Sequence, residues 1–145
     1  MIFRVRGERH RIDIASKLLL GVCTRANMRS DFDLTLNAMR ACLRIRNLFA
    51  HCHWAQSKKR GLFFINLEEN AIRPEQFNPN EFRHVSARTL SQLEDYFFYT
   101  IELLEYLSKE LAFRAGLCLP HGFSKPKKRR EPNPDTILFP HKPLR

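Results

Sequence analysis

The sequence predicts an all-α domain with a short β-prone excursion and a basic C-terminal tail. Three stretches, residues 9–27, 31–54 and 86–115, repeat apolar residues at helical spacing. A chain of 145 residues with 43% hydrophobic residues is long enough for one domain with its own core. We therefore expect a bundle of three to four helices over residues 1–118 and a separate tail over residues 119–145.

The first predicted helix, residues 9–27, has one apolar face and ends near Asn27. That face is formed by Ile12, Ala15, Leu19, Val22 and Ala26. Residues 1–8 before it alternate apolar and basic side chains. This alternation is typical of a short strand or an extended arm, or the segment is the remnant of a further helix.

The second predicted helix, residues 31–54, is apolar on two faces, as expected of a central helix that packs on more than one side. Ser30 followed by Asp33 is a capping-box pattern for its start. One polar stripe interrupts the apolar surface, and it consists of Asp33, Asn37, Arg40, Arg44 and His51. Along that stripe the helix can meet water, a substrate or a second subunit.

Residues 55–85 form a long connection that contains one β-prone run, residues 62–67, expected to form a strand or hairpin. The third helix follows over residues 86–115, with Ser86 as N-cap and Gly116 at its end. Its apolar stripe predicts a core face that extends in part into a subunit interface. The stripe consists of Leu90, Leu93, Phe97, Ile101, Leu104, Leu107 and Leu111.

The charge balance predicts a polyanionic partner. Lys and Arg number 25 against 15 acidic residues, a net charge of +10. Nucleic acid is the first expectation and an anionic membrane surface the second, although a basic protein need have neither partner. Residues 119–145 contribute +5 (seven Lys and Arg minus two acidic residues) and contain six prolines. We expect a mobile tail whose basic run, residues 125–130, contacts RNA, acts as a nuclear import signal or is simply solvated.

The cysteine pattern and the hydropathy predict a cytoplasmic protein. The four cysteines have no Cys-x-x-Cys spacing, and three of them lie in apolar helical patterns, which fits a reducing compartment. No apolar run reaches the roughly 18 residues of a membrane helix. The N-terminus lacks the apolar core of a secretory signal. We expect no membrane partner.

The most informative stretch is Arg46-Asn47-Leu48-Phe49-Ala50-His51, at the end of the second predicted helix. Its Arg-Asn-x-x-Ala-His pattern resembles the signature of the HEPN superfamily, all-α domains of which many are metal-independent ribonucleases. Arg46, Asn47 and His51 match the motif positions one by one. The resemblance implies a HEPN-like helical bundle, although such a bundle normally has four or more helices and three are clear here.

These three residues suit the cleavage of RNA, which carries its own nucleophile in the 2′-hydroxyl group. His51 can take or give the proton, because imidazole titrates near neutral pH. Arg46 can hold the phosphate oxygens and stabilise the transition state. Asn47 can orient His51 from one helical turn away. The stretch offers no carboxylate cluster, so we expect neither a metal nor another cofactor.

A dimer would complete such a site. Residues five apart on an ideal helix point about 140° away from each other, so Arg46 and His51 on one helix do not pair directly. HEPN ribonucleases act as dimers that leave 2′,3′-cyclic phosphate and 5′-hydroxyl ends, and the resemblance implies both here. It also raises a toxin or defence role with an antitoxin or nucleotidyltransferase-type partner. Some family toxins carry a tyrosine two residues after the histidine as that partner's target, but here the position is His53.

The remaining candidate residues are basic side chains expected to contact RNA: Arg40, Arg44, Lys58, Lys59, Arg60, Lys127, Lys128, Arg129 and Arg130. Trp54 is interpreted as a core or interface aromatic, or as a surface on which a base stacks. The run from His51 to His53 does not indicate zinc, since neighbouring helical residues diverge by about 100°.

Three hypotheses follow. The first is a dimeric HEPN-like endoribonuclease. The second is a non-catalytic RNA-binding or scaffold module of the same fold, in which Arg46 and His51 hold phosphate or the dimer. The third is a helical interaction protein in which Arg46 forms a structural ion pair, while Asn47 and His51 are hydrogen-bonded helix-end residues.

Overall fold

The computed structural model describes residues 7–50, 52–57, 61–66 and 83–132, which form three helices and a three-stranded sheet. The helices are α1 (Glu8–Arg25), α2 (Arg29–Ala50) and α3 (Ala87–Arg114). The strands are β1 (Cys52–Ser57), β2 (Gly61–Asn66) and β3 (Arg83–Val85). The prediction of a mostly helical fold is confirmed. Residues 1–6, for which a strand, an arm or a helix remnant was expected, lie outside the described residues.

The sheet is antiparallel with the strand order β1-β2-β3. Strand β2 confirms the β-prone run, of which Leu67 lies outside the described residues. Trp54 of β1 stands opposite Phe64 of β2, and Phe64 stands opposite Arg83 of β3. Because side chains alternate along a strand, Trp54 and Phe64 share one face of the sheet. Strand β3 was not predicted, since its three residues lie within the long connection.

The predicted extent of the second helix, residues 31–54, is wrong at both ends. α2 begins at Arg29, so Ser30 is not its N-cap, and it ends at Ala50. Cys52, His53 and Trp54 belong to strand β1 instead. Histidine, cysteine and tryptophan are weaker helix formers than alanine or leucine, and tryptophan favours strands. Pairing with β2 supplies backbone hydrogen bonds, which make a strand more stable than a helix for these residues.

The predicted ends of the first and third helices are confirmed by their backbone geometry. The Ser86 Oγ atom accepts a hydrogen bond from the Thr89 amide at 3.0 Å, as an N-cap does. Asn27 (φ 54°) and Gly116 (φ 71°) adopt the left-handed conformation just after α1 and α3. The Leu117 amide donates to the Ala112 carbonyl at 2.9 Å, which completes the helix-end turn that such a residue allows.

The ends of α1 and α3 are joined by the guanidinium group of Arg114. Its Nη1 atom donates to the Ala26 carbonyl at 2.7 Å and to the Asn27 carbonyl at 3.4 Å. Its Nε atom donates to Glu110 Oε1 at 2.7 Å. A cation here satisfies helix-end carbonyls and complements the negative end of the α1 dipole.

The chain divides into two compact units. The first consists of Met1–Leu43 and Tyr96–Arg130, and the second of Arg44–Asp95 and Glu131–Arg145. The core of the first unit has two clusters of buried side chains. One gathers Ala38, Ala41, Cys42, Tyr96, Tyr99 and Leu103. The other gathers Cys23, Met28, Phe32 and Leu107.

The buried face of α1 differs from the predicted one. Cys23 is fully buried, whereas Leu19 and Val22 of the predicted face are each 42% exposed. Apolar residues occur on more than one side of this helix, at Leu18, Leu20 and Val22 among others, so periodicity alone does not choose the packed side. The buried side of α1 is set by the packing of Cys23 in the cluster with Met28, Phe32 and Leu107.

The predicted stripe of α3 is likewise only partly buried. Leu93 and Leu107 are buried as predicted, but Ile101 and Leu104 are exposed by 50% and 39%. The core face is completed instead by Tyr96, Tyr99, Thr100 and Leu103. Tyrosine and threonine have polar groups, and here the Thr100 hydroxyl donates to the Tyr96 carbonyl at 2.9 Å, so it is buried without an unsatisfied donor.

Two further observations concern the cysteines and the hydropathy of the helices. All four cysteines, Cys23, Cys42, Cys52 and Cys118, are free thiols, and burial raises the pKa of Cys23. Among the described residues, no helix combines the length and the apolar character that crossing a lipid bilayer requires.

Candidate functional site

The last turn of α2 presents Arg46 and Asn47 at the surface of the second unit. Both side chains are exposed, while Ile45 beside them is 2% exposed and anchors the helix on its inner side. The Nη1 atom of Arg46 donates a hydrogen bond to Asn47 Oδ1 at 3.1 Å. The two motif residues are therefore brought together, and the guanidinium lies where a phosphate can reach it.

His51 lies outside the described residues. In the sequence it is the single residue between the end of α2 at Ala50 and the start of β1 at Cys52. The expected relation of His51 to Arg46 and Asn47 therefore stays a prediction. Lys58, Lys59 and Arg60 also lie outside the described residues.

An aromatic cluster lies next to this turn. The rings of Phe49, from the last turn of α2, and Trp54, from β1, have centroids 5.2 Å apart. Phe64 of β2 lies 5.5 Å from Phe49 and 5.4 Å from Trp54. Phe64 is fully buried, but Trp54 is 42% exposed. Trp54 is therefore not a fully buried core residue, and the interpretations as an interface aromatic and as a stacking surface both stay open.

Two of the predicted RNA-contacting arginines on α2 form ion pairs with carboxylates. Arg40 Nη2 lies 2.9 Å from Asp13 Oδ1, and this hydrogen bond lowers the pKa of Asp13. Arg44 Nη2 pairs with Glu131 Oε1. All four side chains are more than 40% exposed, and such surface pairs contribute little to stability. A polyanion can therefore replace either carboxylate at small cost.

No sequence pattern indicates these two partners. Asp13 is 27 residues from Arg40, and Glu131 is 87 residues from Arg44, so no local spacing rule connects them. The polar stripe itself was recognisable: Asn37, Arg40 and Arg44 are all exposed, as predicted.

The C-terminal basic run is exposed and is anchored at its start. Lys127, Lys128, Arg129 and Arg130 are all exposed, in a segment without helix or strand. Lys125 Nζ lies 2.5 Å from Asp31 Oδ1, and that contact raises the pKa of Lys125, so its ammonium group is charged at neutral pH. His121 Nε2 lies 3.2 Å from Glu110 Oε2. The segment before the basic run thus follows α2 and α3 rather than leaving them.

Replacing Asp31 with asparagine is expected to speed tryptic cleavage within residues 127–130. The change removes the charge that holds Lys125, and an ion pair of this kind is worth up to about a fivefold change in a local equilibrium. Limited proteolysis with mass spectrometry measures the rate. Asp33→Asn is the matched control, because Asp33 lies on the same turn but pairs with Arg29 at 2.8 Å. Equal acceleration by both variants would assign the effect to α2 and not to the Lys125 contact.

No set of three or more His, Cys, Asp or Glu side chains suited to a metal ion occurs within the described ranges. Cys52 and His53 are neighbours in a strand, so their side chains point to opposite faces of the sheet. These two side chains therefore diverge because they lie in a strand and not, as predicted, because they lie in a helix.

Comparison with known proteins finds no match: no protein-family model, no curated protein and no solved structure matches the chain.

Proposed function

We propose that this protein is a metal-independent endoribonuclease of HEPN type that acts as a homodimer. The observation that carries the proposal is the exposed Arg46–Asn47 pair in the last turn of α2. In the sequence, His51 follows directly after the end of that helix. The net charge of +10 and the exposed basic run at residues 127–130 add attraction for a polyanion.

In the proposed reaction His51 takes the proton of the RNA 2′-hydroxyl group, and the oxygen attacks the adjacent phosphorus atom. Arg46 holds the non-bridging oxygens and offsets the charge that develops on them. The P–O5′ bond breaks, and a protonated imidazole supplies the proton to the leaving oxygen. The products are a 2′,3′-cyclic phosphate and a 5′-hydroxyl end. Asn47 keeps the Arg46 guanidinium in place through its side-chain oxygen.

The dimer is part of this proposal, because two helix ends related by a two-fold axis bring Arg46 and His51 of both chains to one site. A cytoplasmic setting fits the four free thiols. A role as a toxin or defence effector, with an antitoxin or nucleotidyltransferase-type partner, is proposed from the HEPN resemblance alone.

A second function, RNA binding without cleavage, is favoured by a different observation. Arg40 and Arg44 lie exposed on α2 in ion pairs that contribute little to stability, so RNA phosphates can take the place of their carboxylates. A scaffold or RNA-binding module would use these arginines and need no proton transfer.

The experiment that decides is incubation of a mixed RNA pool with the purified protein in EDTA. We expect cleavage that leaves cyclic phosphate and 5′-hydroxyl ends, identified by their resistance to ligation and by labelling with polynucleotide kinase. DNA oligonucleotides of the same sequences are the matched control and should stay intact, because they lack the 2′-hydroxyl nucleophile. Products with 5′-phosphate ends, or cleavage only after magnesium is added, would contradict the mechanism. Salt-sensitive RNA binding without products would favour the second function.

A further inference from the structure

Trp54 carries an aromatic ring that packs against two phenylalanine rings and is partly exposed. Phe49 and Phe64 contact it at centroid distances of 5.2 Å and 5.4 Å, and they also contact each other. Phe64 is fully buried and therefore fixes the position of its neighbours. Because Trp54 is 42% exposed, part of its surface is available to a ligand.

The register of α2 places this plane close to Arg46. Arg46 and Phe49 are three residues apart on the helix, so their side chains are neighbours on one face. Phe49 in turn packs against Trp54. Arg46 and Trp54 are therefore both neighbours of Phe49, the first through helical spacing and the second through ring contact.

We propose that Trp54 stacks on an unpaired base of single-stranded RNA whose phosphate is held by Arg46. The inference rests on the proposed function for the role of Arg46 and extends it by naming the substrate class. Stacking needs a base that is splayed out of its helix, whereas the bases of an A-form duplex stay paired and its major groove is too deep and narrow for side chains to read. Duplex RNA is accordingly a poor ligand for this site.

The protein carries its own probe, since Trp54 is the one tryptophan in the chain. The full-length His51→Ala variant is titrated with a short single-stranded RNA and, separately, with the same RNA annealed to its complement, while binding is followed independently by anisotropy of a labelled RNA. We expect saturable quenching of the tryptophan emission by the single strand and little quenching by the duplex. Unchanged emission at concentrations at which anisotropy shows bound single strand would overturn the proposal.

Substitutions at the same position separate stacking from simple packing. Trp54→Leu removes the aromatic plane and should weaken single-strand binding by about 5- to 100-fold, as loss of one stacked base does. Trp54→Phe keeps a smaller plane and should stay within about threefold of the parent protein. Phe98→Leu, at a ring on α3 that is 58% exposed, is the control for loss of an aromatic group elsewhere and should leave binding unchanged. Circular dichroism and thermal unfolding confirm that each variant is folded.

The outcomes distinguish this inference from the proposed function. If the wild type cleaves RNA but Trp54→Leu binds as tightly as its parent, the ribonuclease proposal stands and the stacking role is wrong. If single-stranded RNA quenches Trp54 but the wild type cleaves nothing, the stacking role stands and catalysis is wrong. Equal weakening by Trp54→Leu and Trp54→Phe would mean that Trp54 only supports the fold, which also overturns the inference.

Discussion

The His51→Ala and Arg46→Ala variants are expected to lose RNA cleavage while remaining folded and dimeric. Removal of a general acid or base typically costs about 10²- to 10⁴-fold in rate. Removal of a donor that stabilises developing negative charge costs about 10²- to 10³-fold. Arg46→Lys should recover only part of the loss, because an ammonium group is a point charge and cannot hold a phosphate bidentately. Initial cleavage rates of a defined RNA in EDTA measure all three variants.

Arg44→Ala is the matched control for loss of a positive charge on the same helix. Its guanidinium pairs with Glu131, so its removal should lower the rate only a few-fold, through weaker attraction of RNA. Size-exclusion chromatography with light scattering measures the oligomeric state of every variant. Retained cleavage in His51→Ala would contradict the proposed mechanism, and equal losses in Arg44→Ala and Arg46→Ala would mean that Arg46 acts only through its positive charge.

The second large effect concerns stability. Leu103→Ala is expected to lower the free energy of unfolding by about 2–5 kcal/mol, since removal of a buried leucine loses its transfer energy and leaves a cavity. Leu103 is 1% exposed in the cluster with Ala41 and Tyr99. Leu104→Ala, at the next position of the same helix, should cost under about 1 kcal/mol, because Leu104 is 39% exposed.

Urea unfolding followed by circular dichroism compares the two leucine variants, whose lost side-chain atoms are identical. A much larger cost for Leu103→Ala than for Leu104→Ala supports the observed orientation of α3, in which the Leu103 side chain is buried. A larger cost for Leu104→Ala would instead support the periodicity of the sequence, which placed Leu104 in the core stripe.

The sequence was most reliable at positions where one residue has a strong local preference. Ser86 caps α3 through its hydroxyl group, and Asn27 and Gly116 take up the left-handed conformation that ends a helix. These choices depend on the residue and its immediate neighbours, so they could be predicted from the chain alone.

The sequence was a less reliable guide where the conformation or burial of a residue depends on the partner against which it packs. Cys52 and Trp54 continue an apolar helical pattern, but pairing with β2 makes them a strand. The apolar residues of α1 and α3 occur on several sides, and only contacts distant in sequence choose Cys23 and Leu103 over Val22 and Leu104. Periodicity measures how apolar a face is, and not which face meets another helix.

The candidate site shows the same division. Arg46 and Asn47 were recognised from a local motif, and both are exposed although they lie outside the predicted polar stripe. The carboxylates of Asp13 and Glu131 that hold Arg40 and Arg44 could not be predicted, since they come from distant parts of the chain. The support of Trp54 by Phe64 depends on strand register, which the sequence did not define.

The Arg114 contacts have a consequence for local unfolding. Helix ends usually fray independently, because each terminal turn loses only its own hydrogen bonds when it opens. Here one guanidinium bonds the carbonyls at the end of α1 and a carboxylate in the last turns of α3. Opening either end breaks contacts of the other, so we expect the two termini to exchange their amide hydrogens as one cooperative unit.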